Sequence, residues 1–382
     1  MNNNDNKDFV DINSRSASGA GRDKSPVTSR TELRNQKKQK QKVLTIRIVS
    51  SVLALLFVLA GSLCLYGYNT LNSFNYEELP ENTGVTGNSV VDGTGSTQDL
   101  QFDNETSGTL LNDPYVLNIM LFGADRYGDA GLSDTMILLS IDNRHQKIKM
   151  TSFLRDTYIS IPGVCSHKLN YAYAVGSAAL SIQTIESNFG VQIDRYATVN
   201  FSTFKEIVDI MGGVELYVTG EEIDYINAQI AHNGQSEYLY ASEGMVTLNG
   251  QQALWYARNR GGYYSGMSFS GDDWDRTDRQ RKFIEAVITN LKEEASLSEI
   301  VQIVNKVGPM VTTNLKKTEI QSLVANAMTY LTYDIEQCSM PTDGNWSYGY
   351  NEAGSVILVD NWYQVRHDLA TFIYEELVTT SR

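Results

Sequence analysis

A continuous apolar run occupies residues 48–68 and contains no charged residue. As a helix, the run is long enough to cross a hydrocarbon core of about 30 Å. A cleaved signal peptide is the alternative, but it would need a short basic segment followed by only about 7–15 apolar residues. Here the long polar segment 1–42 precedes the run. The pattern therefore predicts one uncleaved transmembrane helix over residues 43–68.

Beyond residue 114, short apolar runs alternate with polar turns. Residues 115–126, 134–141 and 147–156 have the β-branched and apolar content of strands, and the last two form a predicted hairpin. The centre of that hairpin lies near residue 144 or 145. Asp134 is therefore predicted to lie opposite Arg155 in the register of the two strands.

The rest of the chain alternates between helical and strand patterns. The clearest helix is 275–294, in which Phe283, Ile284 and Leu291 share an apolar face. Other helices are predicted at 168–190, 201–213 and 248–258, strands at 195–200, 214–218 and 355–360, and two more helices after residue 296. Strands interleaved with helices predict one α/β domain over residues 114–382, with a mixed central sheet flanked by helices.

Charge differs on the two sides of the apolar run. Residues 1–42 are rich in Lys, Arg, Asn and Ser, which predicts a disordered tail. Residues 69–113 contain acidic residues but no Lys or Arg, and their Gly, Thr, Asn and Ser content predicts a flexible stalk. This asymmetry places the N-terminus in the cytoplasm and the domain outside the cell. The formal net charge of −14 argues against general nucleic-acid binding.

Three charged residues converge at one end of the predicted sheet. Asp125 ends the first strand, Asp134 begins the second, and Arg155 ends the third. Two carboxylates beside arginines supply oxygen ligands for Mg²⁺ and positive charge for phosphate groups. The alternative is that Asp125 and Asp134 only cap turns, as aspartate commonly does.

A second group of cations lies between residues 258 and 282 of this acidic chain. Arg258 and Arg260 are two residues apart, so on an extended segment they point the same way. Asp275 is the predicted N-cap of the following helix, which puts Arg276, Arg279 and Gln280 near its N-terminus. Cations there oppose the helix dipole, whereas a bound anion would satisfy both the arginines and the free backbone N–H groups. The competing interpretation is a surface ion-pair network with neighbouring aspartates, Asp272, Asp273, Asp275 and Asp278.

The three cysteines do not distinguish between the possible folds or functions. Cys64 lies in the predicted transmembrane helix, and Cys165 and Cys338 lie in the predicted extracellular part, where a disulfide is allowed. A disulfide and two free thiols both remain open. The sequence contains neither a zinc-binding spacing of cysteines nor a P-loop motif.

Seven ordered blocks now identify a family. They are NIMLFGADR, SDTMILLSID, SFLRDTYISIPG, KLNYAYAVG, IDRYATVNFSTFKEIVDIMGGVELYV, LNGQQALWYARNR and DWDRTDRQRKFIEAV. Together, over residues 115–291, they resemble the LytR-CpsA-Psr (LCP) family of bacterial cell-envelope proteins. Two positions depart from the family pattern, because Leu154 stands where proline is usual and Arg195 where histidine is common.

The resemblance implies a three-layer α/β/α domain and a phosphotransferase. Such an enzyme moves a glycopolymer from an undecaprenyl-pyrophosphate carrier onto peptidoglycan through a phosphodiester. Mg²⁺ is the implied cofactor, with Mn²⁺ as the other candidate ion. The resemblance assigns metal binding to Asp125 and Asp134, and catalysis to these two residues and Arg155. The implied pyrophosphate-binding residues are Arg126, Arg155, Lys168, Arg258, Arg260, Arg276 and Gln280.

Three other functions remain open. Water in place of the sugar acceptor would make the protein a lipid-pyrophosphate phosphatase. A transcriptional attenuator would have to bind DNA through the short tail, which has no helix-turn-helix pattern. A non-catalytic wall-binding protein would not need the two aspartates. The long aromatic segment 261–274 is compatible with a mobile surface loop, a lid or a glycan-binding surface.

Overall fold

The computed structural model describes residues 75–79, 110–124 and 131–375, apart from the side chain of Glu294. The predicted tail and transmembrane helix, most of the predicted stalk, and Asp125 and Arg126 lie outside these residues. Within the described ranges, no helix combines the length and the apolar composition that a membrane span requires.

A seven-stranded mixed sheet forms the centre of the fold. Its order is β1-β12-β7-β2-β3-β4-β13. These strands are β1 Asn75–Tyr76, β2 Val116–Ala124, β3 Ser133–Asp142, β4 Lys147–Phe153, β7 Arg195–Asn200, β12 Thr312–Thr313 and β13 Asp334–Met340. Strand β3 pairs antiparallel with β2 and β4, whereas the pairs β2–β7 and β4–β13 are parallel. The prediction of a mixed α/β fold is confirmed.

Eight short strands form two-stranded ribbons outside this sheet. They are β5 Tyr158–Ser160 with β6 Ser166–Lys168, β8 Val214–Val218 with β9 Gly244–Leu248, β10 Gly262–Tyr264 with β11 Met267–Phe269, and β14 Trp346–Asn351 with β15 Gly354–Val359. The helices are α1 Leu169–Phe189, α2 Phe201–Ile210, α3 Gly220–His232, α4 Gly250–Arg258, α5 Asp273–Glu294, α6 Leu297–Val307, α7 Lys317–Ala325, α8 Ala327–Tyr330 and α9 Trp362–Tyr374.

Helices cover both faces of the sheet. On one face, Phe122 and Leu138 pack in a buried core with Ile182 of α1 and Leu369 of α9. On the other face, Arg281 of α5 donates hydrogen bonds to strand hydroxyls. A second core joins α2, α3, α4, β8 and Phe283 of α5. Helix α5 therefore links the central sheet to the smaller helical cluster.

The predicted helix 168–190 is present but interrupted. It ends at Gly190, whose φ of 77° gives the left-handed conformation that commonly closes helices. Gly176 and Ser177 depart from helical geometry, so α1 consists of two segments joined at a kink. The apolar spacing continues across the kink, which explains why the pattern predicts a single helix.

Part of the predicted stalk belongs to the folded domain. Asn75 and Tyr76 pair in parallel with Thr312 and Thr313 at the edge of the sheet. Order also begins before residue 114, because Leu110 is buried and Asp113 accepts two hydrogen bonds from Arg144. The predicted stalk boundaries therefore require correction at these positions.

A buried lysine attaches the last helix to the sheet. Lys149 of β4 is 0% exposed and donates to Asp142 Oδ2 at 2.9 Å and to the carbonyl oxygen of Ile373 at 2.8 Å. Its ammonium also lies 2.9 Å from Glu375 Oε1. Asp142, His145 and Glu375 are close enough together to hold a metal ion. The Lys149 ammonium already contacts the carboxylates of Asp142 and Glu375, so these residues form an ion-pair cluster.

The two extracellularly predicted cysteines do not form a disulfide. Cys165 is an exposed free thiol, and Cys338 of β13 is a free thiol at an intermediate position. Cys338 donates to Thr151 Oγ1 on the neighbouring strand. Burial raises the pKa of its thiol to about 11.

Candidate anion-binding pocket

A pocket of about 680 Å³ opens where α3, α4 and α5 meet the end of β3. Its lining includes four arginines and three aspartates, an excess of positive charge in an acidic chain. Six residues predicted from the sequence line it: Asp134, Arg155, Arg258, Arg260, Arg276 and Gln280. The assignment of Asp134 to metal binding and catalysis, and of the other five to pyrophosphate binding, stays a prediction, but the fold brings all six together around one space.

The β3–β4 register places Asp134 beside Arg155. Ile137 pairs with Ser152, and continuing this register by three residues puts Asp134 opposite Arg155, as predicted. Arg155 Nη1 donates a hydrogen bond of 2.6 Å to Asp134 Oδ1. Asp134 lies near the start of the hairpin and Arg155 follows its end, so the tight turn between Asp142 and Lys147 sets their opposition.

Helix α5 begins earlier than predicted. Asp272, not Asp275, is the N-cap, and its carboxylate accepts hydrogen bonds from the backbone N–H groups of Trp274 and Asp275. Asp275 accepts in return from the N–H of Asp272, which completes a capping box. Asp273 is therefore in the first turn, three residues before Arg276 and on the same side of the helix.

The sequence pattern places Asp273 only in the competing surface network, whereas in the structure its carboxylate lies among the pocket arginines. Its Oδ1 lies 2.8 Å from Arg276 Nη2, 3.2 Å from Arg155 Nε and 3.9 Å from Arg260 Nη1. One carboxylate thus holds three arginines from different segments. The DDWD motif was the available signal, since its Asp-x-x-Asp spacing marks the helix start and makes Asp273 an intrahelical residue.

Burial and the neighbouring charges shift the pKa values of these residues in different directions. Burial alone would raise the pKa of Asp134, but the charges of Arg276 and Arg155 outweigh it and lower that pKa overall. At Asp273 burial prevails over the same two arginines, and the pKa is raised. Burial also lowers the pKa of Arg276 to about 10, although Asp273 opposes the shift. The cost of burying these charges is therefore only partly offset within the cluster.

Several buried polar atoms of the cluster lack a hydrogen bond among the described residues. They are Arg155 Nε, Arg276 Nε, Gln280 Oε1 and both carboxylate oxygens of Asp273. The contacts of Asp273 are within ion-pair distance but do not have hydrogen-bond geometry. Buried polar groups are normally paired, so this cluster retains hydrogen-bonding capacity for a ligand.

The remaining cations differ in position. Arg258 lies over the ring of Phe201, 4.2 Å from its centroid, and still lines the pocket. Lys168 does not line it and instead contacts Asp156 Oδ1 at 2.8 Å. Asp156 in turn lies 3.4 Å from Arg155 Nε, so Lys168 acts on the pocket only through these two residues. Arg279 is directed away from the pocket, towards Glu222 and the carbonyl oxygen of Asn259.

Within the segment 261–274, residues 262–269 form a β-hairpin along one side of the pocket. Tyr264 and Phe269 contact Tyr225 of α3 edge-to-face, at centroid distances of 5.5 and 5.4 Å. At the base of the hairpin, Gly261 and Gly271 approach so closely that a Cβ on Gly271 would lie 3.1 Å from the nitrogen of Gly261. Tyr264 lines the pocket, whereas Tyr263 is exposed.

The donor set of the pocket is chemically suited to Mg²⁺. Asp134 and Asp273 provide carboxylate oxygens, which are the hard ligands that Mg²⁺ prefers. Asp125, the second predicted ligand, lies outside the described residues. Of the residues described, only the cluster around Lys149 brings three acidic or histidine side chains within metal-binding distance of one another.

An α/β domain whose pocket gathers arginines has the donor groups that suit phosphate oxygens. The model of the LytR_cpsA_psr family matches residues 85–365, and the chain belongs to this family.

Named relatives and solved structures agree. The polyisoprenyl-teichoic acid–peptidoglycan teichoic acid transferase TagU of Oceanobacillus iheyensis is 35% identical over 250 residues, which are 63% of this chain and 72% of that protein. The structure of TagT bound to LIIa-WTA has a TM-score of 0.54 at 21% identity, over 68% of this chain and 91% of TagT. YwtF (TagT) with bound octaprenyl pyrophosphate lipid has a TM-score of 0.51 at 21% identity, over 74% of this chain and 99% of that one. At these identities the structural likeness shows the fold.

Proposed function

We propose that this protein is a membrane-anchored phosphotransferase that moves a glycopolymer from an undecaprenyl-pyrophosphate carrier onto peptidoglycan. The observation that carries the proposal is the cluster of the buried Arg276, the partly buried Arg155 and the exposed Arg260 around Asp134 and Asp273. The name of the TagU relative and the polyprenyl pyrophosphate bound to YwtF support the same substrate class.

The arginines bind and orient the pyrophosphate. Guanidinium groups form paired hydrogen bonds with phosphate oxygens, and such charge-assisted bonds are about twice as strong as neutral ones. Arg155 and Arg276 each have a buried Nε without a hydrogen-bond partner in the described part of the chain. A phosphate oxygen that accepts from these groups would relieve part of the cost of their burial.

Transfer breaks one P–O bond and forms another. A hydroxyl of the acceptor sugar attacks the phosphorus atom attached to the glycopolymer, and the bond from that phosphorus to the bridging oxygen breaks. The products are a phosphodiester between polymer and peptidoglycan and the carrier monophosphate. The hydroxyl proton passes to a carboxylate of the site, while the arginines stabilise negative charge on the phosphoryl oxygens. Mg²⁺ held by Asp134 and Asp125 would supply further charge neutralisation.

The test is a transfer assay with the full-length protein in detergent. The substrates are a lipid-pyrophosphate-linked oligosaccharide and soluble peptidoglycan fragments with Mg²⁺, and products are identified by mass spectrometry. Arg155→Ala and Arg276→Lys alter the pocket. Arg144→Ala is the matched control, since it removes an arginine ion pair from the opposite end of the same hairpin.

We expect a phosphodiester-linked product with the unmodified protein and with Arg144→Ala. Arg155→Ala should reduce transfer by about a hundredfold or more, the scale typical of removing one electrostatic contact to a transition state. Arg276→Lys should also be defective, because the guanidinium contacts Asp273 and the carbonyl oxygen of Asp134 through Nη2 and still has Nε available for a phosphate oxygen, whereas lysine has a single nitrogen. Free glycan phosphate without transfer would instead establish a phosphatase, and binding without turnover would refute catalysis.

A further inference from the structure

A row of aromatic side chains extends from the edge of the pocket onto a surface ribbon. Trp346, Tyr348 and Tyr350 are alternate residues of β14, so their side chains share one face of the strand. Trp274 of α5 stacks on Trp346 with 4.9 Å between ring centroids and 31° between planes. Trp346 contacts Tyr348 edge-to-face, also at 4.9 Å. We call Trp274, Trp346, Tyr348 and Tyr350 the aromatic row.

The row is attached to the pocket at two points. Trp274 directly follows Asp273, the carboxylate that holds the three arginines. The backbone N–H of Ile357, on the partner strand of Tyr348, donates a 2.9 Å hydrogen bond to the carbonyl oxygen of Asp156, next to Arg155. The position of the ribbon is therefore coupled to two of the chain segments that carry pocket arginines, those of Arg155 and Arg276.

Core packing does not account for the outer part of the row. Tyr348 is 64% exposed and Tyr350 is 87% exposed. The opposite strand supplies the buried contacts of the ribbon, through Val356 and Ile357. Two neighbouring exposed aromatic rings on a hydrogen-bonded strand make an apolar contact surface, and tyrosine loses little conformational entropy when it is ordered by a ligand.

The charge around the row selects its partner. Residues 342–361 include the acidic residues Asp343, Glu352 and Asp360 but no lysine or arginine. An anionic polymer or an anionic lipid surface would be repelled here, whereas the pocket beside it attracts anions. The two neighbouring surfaces therefore suit the two substrates of a transferase, one charged and one uncharged.

We propose that the aromatic row binds the sugar rings of the glycan strand that accepts the polymer. This inference rests on the proposed transferase function. Aromatic rings offer flat apolar faces to the C–H faces of sugars, and tyrosine hydroxyls at the ring edges can bond to sugar hydroxyls. A glycan lying along Tyr350, Tyr348 and Trp346 is directed towards Trp274 and hence towards the pocket. The row thus positions an acceptor hydroxyl and contributes nothing to binding of the carrier.

The experiment measures acceptor binding separately from transfer. Full-length protein in neutral detergent is titrated calorimetrically with uncharged N-acetylglucosamine oligomers, and the transfer assay is repeated over a range of peptidoglycan-fragment and carrier concentrations. The variants are Tyr348→Ala, Tyr350→Ala and the ring-retaining Tyr348→Phe. Tyr240→Ala is the control, because Tyr240 is 92% exposed and lies outside the ribbon.

We expect each alanine variant to weaken oligomer binding by about three- to tenfold, the range that one aromatic contact supplies. The KM for the acceptor should rise by the same factor, while the KM for the carrier and kcat stay unchanged. Tyr348→Phe should retain most of the binding, and Tyr240→Ala all of it.

An unchanged acceptor KM and unchanged oligomer binding in both alanine variants would overturn the proposal. The proposal would also be overturned if the alanine variants lost binding to vesicles containing anionic phospholipid while their binding to the oligomers stayed unchanged, because that result identifies a membrane contact. If the unmodified protein transfers nothing yet binds the oligomers through these tyrosines, the transferase function fails while the glycan site stands.

Discussion

The contribution of the buried Lys149 ion pair to the free energy of unfolding can be estimated from the structure and measured. Lys149→Met keeps the length of the side chain but removes the ammonium from Asp142, Glu375 and the carbonyl oxygen of Ile373. Removing one partner of a buried ion pair costs about 3–5 kcal/mol. Asp142 keeps its hydrogen bonds from the Arg144 N–H, the His145 N–H and the His145 ring, so we expect the low end, about 3 kcal/mol.

The assay is chemical and thermal unfolding followed by far-ultraviolet circular dichroism. A loss of about 3 kcal/mol should lower the melting temperature by about 6–12 °C in a domain of this size. Lys147→Met is the matched control, two residues earlier on the same strand and also paired with Glu375. Its side chain is 26% exposed, against 0% for Lys149, so the same substitution should cost about 1 kcal/mol or less.

The pH dependence provides a second check on the same contact. Burial alone would raise the pKa of Asp142, but hydrogen bonds from His145 and Lys149 lower it overall. A carboxylate with a lowered folded-state pKa stabilises the protein above its ordinary value of 3.8, and this contribution disappears as the pH falls through the lower value. The stability difference between the unmodified protein and Lys149→Met should therefore shrink in strong acid. Equal costs for Lys149→Met and Lys147→Met at neutral pH would refute the argument from burial.

Two further outcomes test other parts of the structure. The pKa of Asp134 is lowered in the folded protein, so its contribution to stability is present above pH 3.8 and is lost as the pH falls through the lower folded-state value. The free energy of unfolding of Asp134→Asn should therefore fall less steeply in acid than that of the unmodified protein. An equally steep fall in both proteins would contradict the pairing with Arg155. Cys165 is exposed, whereas burial raises the pKa of Cys338 to about 11, so of these two thiols iodoacetamide at pH 8 should label only Cys165 in the folded protein. Peptide mapping by mass spectrometry reads the result, and rapid labelling of Cys338 would contradict its placement on β13.

Sequence patterns predicted the elements that rely on local signals. Strands β2 to β4 have apolar runs separated by a short polar turn, so both their existence and the opposition of Asp134 and Arg155 follow from the sequence. Helix α1 stops where Gly190 takes a left-handed conformation, a signal that is also local. These features need no knowledge of distant contacts.

Elements determined by distant partners were missed. Strand β13 reads DIEQCSM, whose polar positions give no strand alternation, and it forms because β4 offers a parallel edge. Asn75 and Tyr76 depend in the same way on Thr312 and Thr313. Asp273 resembles its three aspartate neighbours in sequence. Only the fold distinguishes it, by burying its carboxylate against arginines from other segments.

The close approach of Gly261 and Gly271 makes the intervening hairpin a replaceable unit. The chain leaves and re-enters the domain at nearly the same point, since a side chain at Gly261 would clash with the backbone of Phe269 and Ser270 and one at Gly271 would be in tight contact with Gly261. Directly afterwards, the Asp272–Asp275 capping box sets the helical register again. Insertions or deletions between the glycines can therefore change the wall of the pocket without moving Arg258 or Arg276. Under the proposed function, substrate preference can diversify there while the pocket arginines keep their positions.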